Sequence, residues 1–276
     1  MPKITADIPA SLSSVLHEEI ARNKTDASSI VTAALAQYLQ TPVHTLFQVS
    51  TSGALVAGVY SGAVNVQSLL QHGDFGLGTF ANLDGEMVVL DGHVYQIQGT
   101  GRVSEAPATA RAPFAVVTRF SPETDLQIGS IASFSELEKR CDALRTSGNI
   151  FYAFRLDGTF KRIRTRAVKP PEEGARLIDA AKGQSEFRFT GVAGTLVGLW
   201  SPGFSSAFSI AGYHFHFLSQ DRHEGGHLLD CESGLLRVRM EALINFHLAL
   251  PETESYLKAD LSKNTADELA YAESAH

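Results

Sequence analysis

Gly212-Tyr213-His214-Phe215-His216-Phe217 opens the stretch that decides how this chain is read, and Gly225-Gly226-His227 closes it. Aromatic and imidazole side chains alternate with a period of two, which predicts a strand. Successive side chains on a strand point to opposite faces. His214 and His216 therefore share one face, and Tyr213, Phe215 and Phe217 the other. Ser219 to Gly226 is rich in charge and turn formers, which suits the tip of a hairpin. The chain returns through Leu228 and Leu229, a course that can bring His227 opposite the His pair. Four of the ten histidines (His214, His216, His223 and His227) fall in this window, so the clustering needs a reason. His223 sits in the turn and is read as solvated. The other three make a nest for a first-row divalent metal. Neutral imidazole suits zinc, and three His with an open fourth position is the pattern of catalytic rather than closed structural sites. A chance His-x-His pair on a strand is the competing reading, and His227 across the Gly-Gly turn weighs against it.

The chain has 276 residues, enough for one large domain or two ordinary ones. A formal net charge of −7 argues against nucleic acid or an anionic membrane as the main partner. Cys141 and Cys231 are the two cysteines; they form no Cys-x-x-Cys spacing and no disulfide scaffold, which is compatible with a reduced compartment. The N-terminus has no apolar signal core, and no apolar run is long enough to span a bilayer, so the expected location is cytoplasmic.

At the N-terminus, Ile4, Ala6 and Ile8 alternate with Lys3, Thr5 and Asp7, a strand pattern. A helix follows from about Ser11 with Leu12, Val15, Leu16 and Ile20 on one stripe, then a turn at Asn23 to Asp26. A second helix runs to about Leu39 through Ile30, Ala34, Leu35 and Tyr38. This strand-helix-helix segment, residues 1–42, resembles a ribbon-helix-helix module. The resemblance implies pairing of two chains through their strands, with the outward strand residues entering a DNA groove. The segment has a net charge of −1, and clustered Lys or Arg for phosphate neutralisation is missing. A dimerisation appendage, and so a homodimer or higher homo-oligomer, is the favoured reading over a DNA reader.

From Leu46 the style changes to short apolar runs separated by Gly, Asp and Pro. Strands are expected at 46–49, 75–80, 83–95 with Asp-Gly turns, and 114–120. A helix is expected from Ser133 or Ser135 to Arg145. Ile150 to Leu156 and Phe160 to Val168 are read as strands paired across a turn at Asp157-Gly158. Lys169 to Gly174 reads as a linker between lobes or a long surface loop. Strands follow at 184–190 and 195–200. Leu235 to Leu250 is a strand pair or one long strand, and Leu257 and Leu261 begin a helical tail.

Several motifs together carry a more specific resemblance. GYHFHFLSQDRHEGGHLLD (212–230) is similar to the metal-binding hairpin of the acetolactate decarboxylases. The similarity extends through LFQVSTSGALVAGVYSGAVNVQSLLQHGDFGLGTFANLDGEMVVLDGHVYQ (46–96), FKRIRTRAV (160–168), GTLVGLWSP (194–202) and NFHLALPETESYLKADL (245–261). It covers about residues 45–276. It implies an α+β, predominantly β fold: a mixed-sheet, two-lobe domain with a lobe break near 169–184, preceded by the small strand-helix-helix module.

The resemblance also implies a reaction, loss of carbon dioxide from 2-acetolactate to give acetoin. The substrate is a β-keto acid, and the electron pair left behind needs a sink. A divalent metal on the ketone oxygen would stabilise the enediolate as a Lewis acid. Zn2+ is expected, and another divalent first-row metal fits the same ligands. No lysine stands out as a Schiff-base alternative. Matched motif by motif, His214, His216 and His227 take the ligand positions. Glu86 takes that of a carboxylate handling the substrate's hydroxyl proton. Arg166 is matched to the family's active-site arginine, which holds the carboxylate and takes part in stereospecific protonation. Arg162 and Arg164 share its strand face by parity. Thr79 matches a substrate contact, its plainer role being a strand-end hydroxyl bonded to backbone. Glu273 matches a glutamate near the C-terminus that folds back onto the metal. Cys231 shares parity with His227 but reads as a small core residue. Two rivals remain. One is a cupin-type metal oxygenase, whose signature needs a Glu shortly after the second His, where this chain has Gln220 and Asp221. The other is a small-molecule-sensing DNA-binding regulator with a degenerate enzyme domain.

Overall fold

Fourteen strands form in the computed structural model, which describes residues 4–39, 43–172, 174–263, 265, 268 and 269. In chain order they are β1 (Thr45–Val49), β2 (Val64–Asn65), β3 (Phe75–Thr79), β4 (Glu86–Leu90), β5 (His93–Ile97), β6 (Val103–Glu105) and β7 (Arg111–Ala112). They continue with β8 (Phe114–Thr118), β9 (Thr124–Ile128), β10 (Phe151–Ala167), β11 (Ser185–Ser201), β12 (Gly212–Ser219), β13 (Gly225–Leu243) and β14 (Asn245–Ala249). The helices are α1 (Ala10–Asn23), α2 (Ala27–Tyr38), α3 (Ser52–Val56), α4 (Val66–Leu70), α5 (Phe134–Asp142), α6 (Leu177–Lys182) and α7 (Glu254–Lys258). None among the described residues is long and apolar enough to cross a membrane. The fold is α+β and mostly strand.

The chain divides into two compact units, one ending at Val43 and one beginning at His44. The first is α1 and α2. Asp26 caps α2 by accepting the backbone N–H of Ser29 at 2.9 Å. Neither helix buries a residue. Residues 4–9, expected as part of a strand, belong to none among the described residues.

The second unit is built on two large sheets. One has seven strands in the order β14-β1-β8-β3-β4-β5-β6, with β1 and β14 parallel and the rest antiparallel. The other runs β10-β11-β12-β13-β9, and β13 also pairs with β10, so four of its strands close on themselves. Inside that closure lie Phe154, Phe160, Leu196, Phe215, Phe217 and Leu236. Gly194 and Gly198 make room for two of these rings: a Cβ at Gly198 would fall 2.0 Å from Phe215 and one at Gly194 2.5 Å from Phe217. A second core contains Leu46, Leu77, Val88 and Phe114 from the seven-stranded sheet with Val197, Leu199 and Leu218 from the other, so it lies between the two sheets. A third, with Val66, Leu69, Val89 and Val117, backs the seven-stranded sheet under α4.

Three expectations are corrected. Asp157-Gly158 is no turn; β10 runs through it without a break, paired on both sides. The glycine serves close strand approach, since a Cβ there would meet Leu236 Cδ2 at 2.5 Å and Leu235 O at 2.9 Å. The runs at 184–190 and 195–200 are likewise one strand, β11. The segment 169–184 therefore connects two neighbouring strands of one sheet. Finally, β13 carries a bulge where Arg164 pairs Asp230 and Thr165 pairs Leu228. The extra residue flips parity, so Cys231 packs with Ile163 and Leu228 in the inner core, away from the face of His227.

Candidate active site

The hairpin forms where the alternation places it, with β12 ending at Ser219 and β13 starting at Gly225. His216 stands directly across from His227 in the ladder, and Arg166 stands across from His227 on the other side. Three neighbouring strands thus present His216, His227 and Arg166 in one row. Gly226 allows the approach: its φ is +130°, and a Cβ there would lie 2.5 Å from the Arg166 carbonyl oxygen.

His214, His216 and His227 are all buried, and each offers a ring nitrogen within 4.8 Å of the others. His214 Nε2 is 3.1 Å from His216 Nε2 and 3.1 Å from His227 Nδ1. His216 Nδ1 lies 2.8 Å from the Met87 carbonyl oxygen. A carbonyl only accepts, so Nδ1 carries the proton and Nε2 keeps its lone pair for the cluster. Burial, and then the charge of Arg166, lower the His214 imidazole to about 3, which keeps it neutral. A proton on His214 Nε2 can point at one of its two neighbours but not both. A cation at their meeting point serves all three nitrogens, and neutral imidazoles are the donors such an ion takes. The residues present fit a divalent metal.

Glu86 is the first residue of β4 and is 7% exposed. Its Oε1 accepts the Val168 N–H at 3.2 Å, and its Oε2 lies 3.7 Å from His216 Nε2. One oxygen is thus held by backbone while the other faces the imidazoles. Thr79, paired with Glu86 across the β3–β4 hairpin, donates its hydroxyl to the Gly85 carbonyl at 2.8 Å. Thr79 thus makes the backbone bond foreseen as its plainer role, and it also lines the cavity. Arg166 is 4% exposed and donates from Nη1 to Gln184 Oε1 at 2.9 Å. Arg162 and Arg164 do lie on its strand face, but they pair with Glu232 and Glu186 nearer the surface. Glu273 lies outside the described residues.

Thr79, Glu86, Arg166, His214 and His227 line one cavity of about 500 Å³ of space between atoms, its mouth included. The remaining wall is apolar and includes Leu55, Phe114, Leu177 and Ile210. The sequence did not mark Gln184, the Val168 N–H, the Met87 carbonyl or this wall. They come from distant segments, and backbone groups leave no trace in residue type.

The sequence matches the family model described as "Alpha-acetolactate decarboxylase" over residues 46–263. The chain belongs to the alpha-acetolactate decarboxylase family. That is a family of carboxy-lyases. An alpha-acetolactate decarboxylase of Methanosarcina mazei is 39% identical over 83% of this chain and 80% of its own. One from Brevibacillus brevis is 36% identical over 84% of this chain and 82% of its own. The crystal structure of alpha-acetolactate decarboxylase from Bacillus subtilis strain 168 superposes with a TM-score of 0.81 at 33% identity, covering 84% of this chain and all of that one. Family membership favours neither the cupin oxygenase nor the degenerate regulator.

Proposed function

We propose that this chain converts 2-acetolactate to acetoin and carbon dioxide in the cavity between its two sheets, with a divalent cation held by His214, His216 and His227. The observation that carries this is the convergence of three buried imidazoles beside a buried carboxylate and a buried guanidinium. Bound there, the cation supplies a Lewis acid for negative charge developing on the substrate's oxygens. Zinc is the expected metal.

The chain's own residues do the rest. Arg166 presents a fork of N–H donors that matches a carboxylate and orients it. The apolar wall excludes water from the methyl groups. The bond between the carbinol carbon and the carboxylate breaks, its electron pair moves to the ketone oxygen, and carbon dioxide leaves. Glu86, fixed through Oε1 by the Val168 N–H, accepts the carbinol hydroxyl proton on Oε2 and returns it. Thr79, its own hydroxyl proton engaged by the Gly85 carbonyl, contacts the substrate from the cavity wall. One further proton must reach carbon to give acetoin. A guanidinium holds its protons too tightly to give one up readily, so Arg166 guides a water to one face of the enediolate. Glu273 is assigned a supporting contact to the cation.

The test is acetoin formation from racemic acetolactate by protein stripped with a chelator, then reloaded with Zn2+. We expect activity to vanish with the metal and return at about one ion per chain. Full turnover in protein shown to be metal-free would rule the metal reading out.

We further assign residues 1–42 as an appendage that joins copies of the chain, and 45–276 as the catalytic domain. The support is that neither helix of the first unit buries a residue, while Ile4, Leu12, Val15, Val31, Leu35 and Tyr38 are exposed. So small a unit lacks a core of its own and needs a covering partner. Deleting residues 1–42 should lower the number of chains per particle measured by light scattering and leave turnover within about twofold. An unchanged number of chains would remove the assignment.

A further inference from the structure

Arg166 reaches the cavity with one of its terminal nitrogens already engaged. Nη1 donates to Gln184 Oε1 at 2.9 Å, and Gln184 lies in a segment that also builds the cavity. Leu177 and Ala181, four residues apart on α6, both line the pocket. Gly183 ends the helix, Gln184 follows, and β11 begins at Ser185. The pairing of β10 with β11 ends at Ala167 and Ser185, so Gln184 stands one step past the ladder. Its side chain turns back to the arginine. The residue that the register places opposite Arg166 is Glu186, and it pairs diagonally with Arg164 at 3.5 Å. At this nitrogen Arg166 meets an amide oxygen rather than that carboxylate.

The choice has a chemical consequence. An amide oxygen accepts one N–H and fixes the plane of the guanidinium, but it adds no negative charge. A carboxylate in the same place would attract the guanidinium strongly, often through two parallel bonds, and would compete with a carboxylate on the substrate. We infer that Gln184 is a positioning residue for the decarboxylation: it sets the orientation of Arg166 toward the substrate carboxylate through an acceptor that adds no negative charge of its own. This rests on the placement of Arg166 in the proposed reaction.

The full-length, zinc-loaded protein is compared with Gln184→Glu and Gln184→Leu. Gln184→Glu keeps the shape and adds charge, so KM for acetolactate should rise about tenfold with an unchanged or higher melting temperature. Gln184→Leu removes the acceptor, so kcat should fall about tenfold and the enantiomeric purity of the acetoin should drop, at unchanged zinc content. If both variants keep the parent's KM and product purity, or lose activity only in proportion to folded protein, the inference is wrong. Parent turnover is measured first and judges the reaction itself. Should the parent form no acetoin, the same inference is read by calorimetry with the alcohol obtained by reducing the substrate's ketone, which retains the carboxylate and cannot decarboxylate. Gln184→Glu must weaken that ligand about tenfold, and equal affinities overturn the inference.

Discussion

Two polar clusters are set into the long strands of the second unit, and they are built on opposite plans. At Asp157, in the middle of β10, donors and acceptors answer one another. The carboxylate accepts from Arg239 at 2.7 Å, from the Thr195 hydroxyl at 2.8 Å and from Arg155 Nε at 3.2 Å. Burial pushes its proton affinity up, but the Arg239 and Thr195 hydrogen bonds and the two arginine charges outweigh it and hold the carboxyl below the usual range. At His214, His216 and His227 the same fold gathers three buried rings, with His214 Nε2 3.1 Å from a nitrogen of each of the other two. The Asp157 carboxylate finds all these donors within the protein, although the buried Arg239 Nε has no hydrogen-bond partner among the described residues. The imidazole cluster could hold a metal ion. Burial of polar groups alone does not mark a site; ring nitrogens brought together from three positions do.

Breaking either cluster should therefore give a different kind of loss. His214→Ala removes one of three ligands, so bound zinc and turnover should go together, the latter by at least about 1000-fold, or ~4 kcal/mol of transition-state stabilisation. Thermal stability of the metal-free form should change little by comparison. Metal analysis alongside acetoin assays decides this; a variant that keeps both zinc and activity would exclude the hairpin from the reaction. Asp157→Ala should do the reverse. It leaves Arg155 and Arg239 without their shared acceptor and should cost about 2 kcal/mol in urea unfolding, with turnover per folded molecule retained. Because the Asp157 carboxyl is held below its ordinary value, that difference is present at neutral pH and fades as pH falls through the folded-state value. Equal unfolding midpoints would mean that the network is ornamental.

The same contrast explains what could be foreseen. The histidine cluster was legible because strand alternation is local: His214 and His216 must share a face, and the polar stretch after Ser219 must turn. Glu86 and Arg166 carry no local signal, and only similarity to known decarboxylases selected them, Arg166 from a face it shares with Arg162 and Arg164. Asp157-Gly158 misled because the pair has two uses. One is a tight turn. The other, used here, is a buried acceptor beside a residue small enough for β13 to press against. Which use applies is set by Arg239 and Leu236, some eighty positions away. Cys231 misled through the bulge, since parity counts residues and a bulge inserts one. Gln184 read as the first residue of a strand, and its partner lies on another one.

Glu241, near the end of β13, falls between the two plans and gives the finest test of the contrast. Its carboxylate is fully buried, accepts from the Ser121 N–H at 2.8 Å and lies 3.0 Å from His44 Nδ1. Burial pushes the carboxyl up to about 8, with Ser121 opposing and Glu123 and Asp74 adding to the rise. A carboxyl raised on folding binds its proton more tightly in the folded state. Its contribution to stability is therefore fully present below the ordinary value, near 4.5, and is lost as pH rises toward about 8. Glu241→Gln imitates the protonated form at every pH. Parent and variant should melt together at pH 5, and the variant should gain on the parent by at least about 1 kcal/mol at pH 8. Melting curves that stay parallel from pH 5 to 8 would mean that His44 and Ser121 satisfy the ionised carboxylate as completely as the arginines satisfy Asp157. Glu241 would then belong with the Asp157 cluster, its charge met by groups of the protein itself.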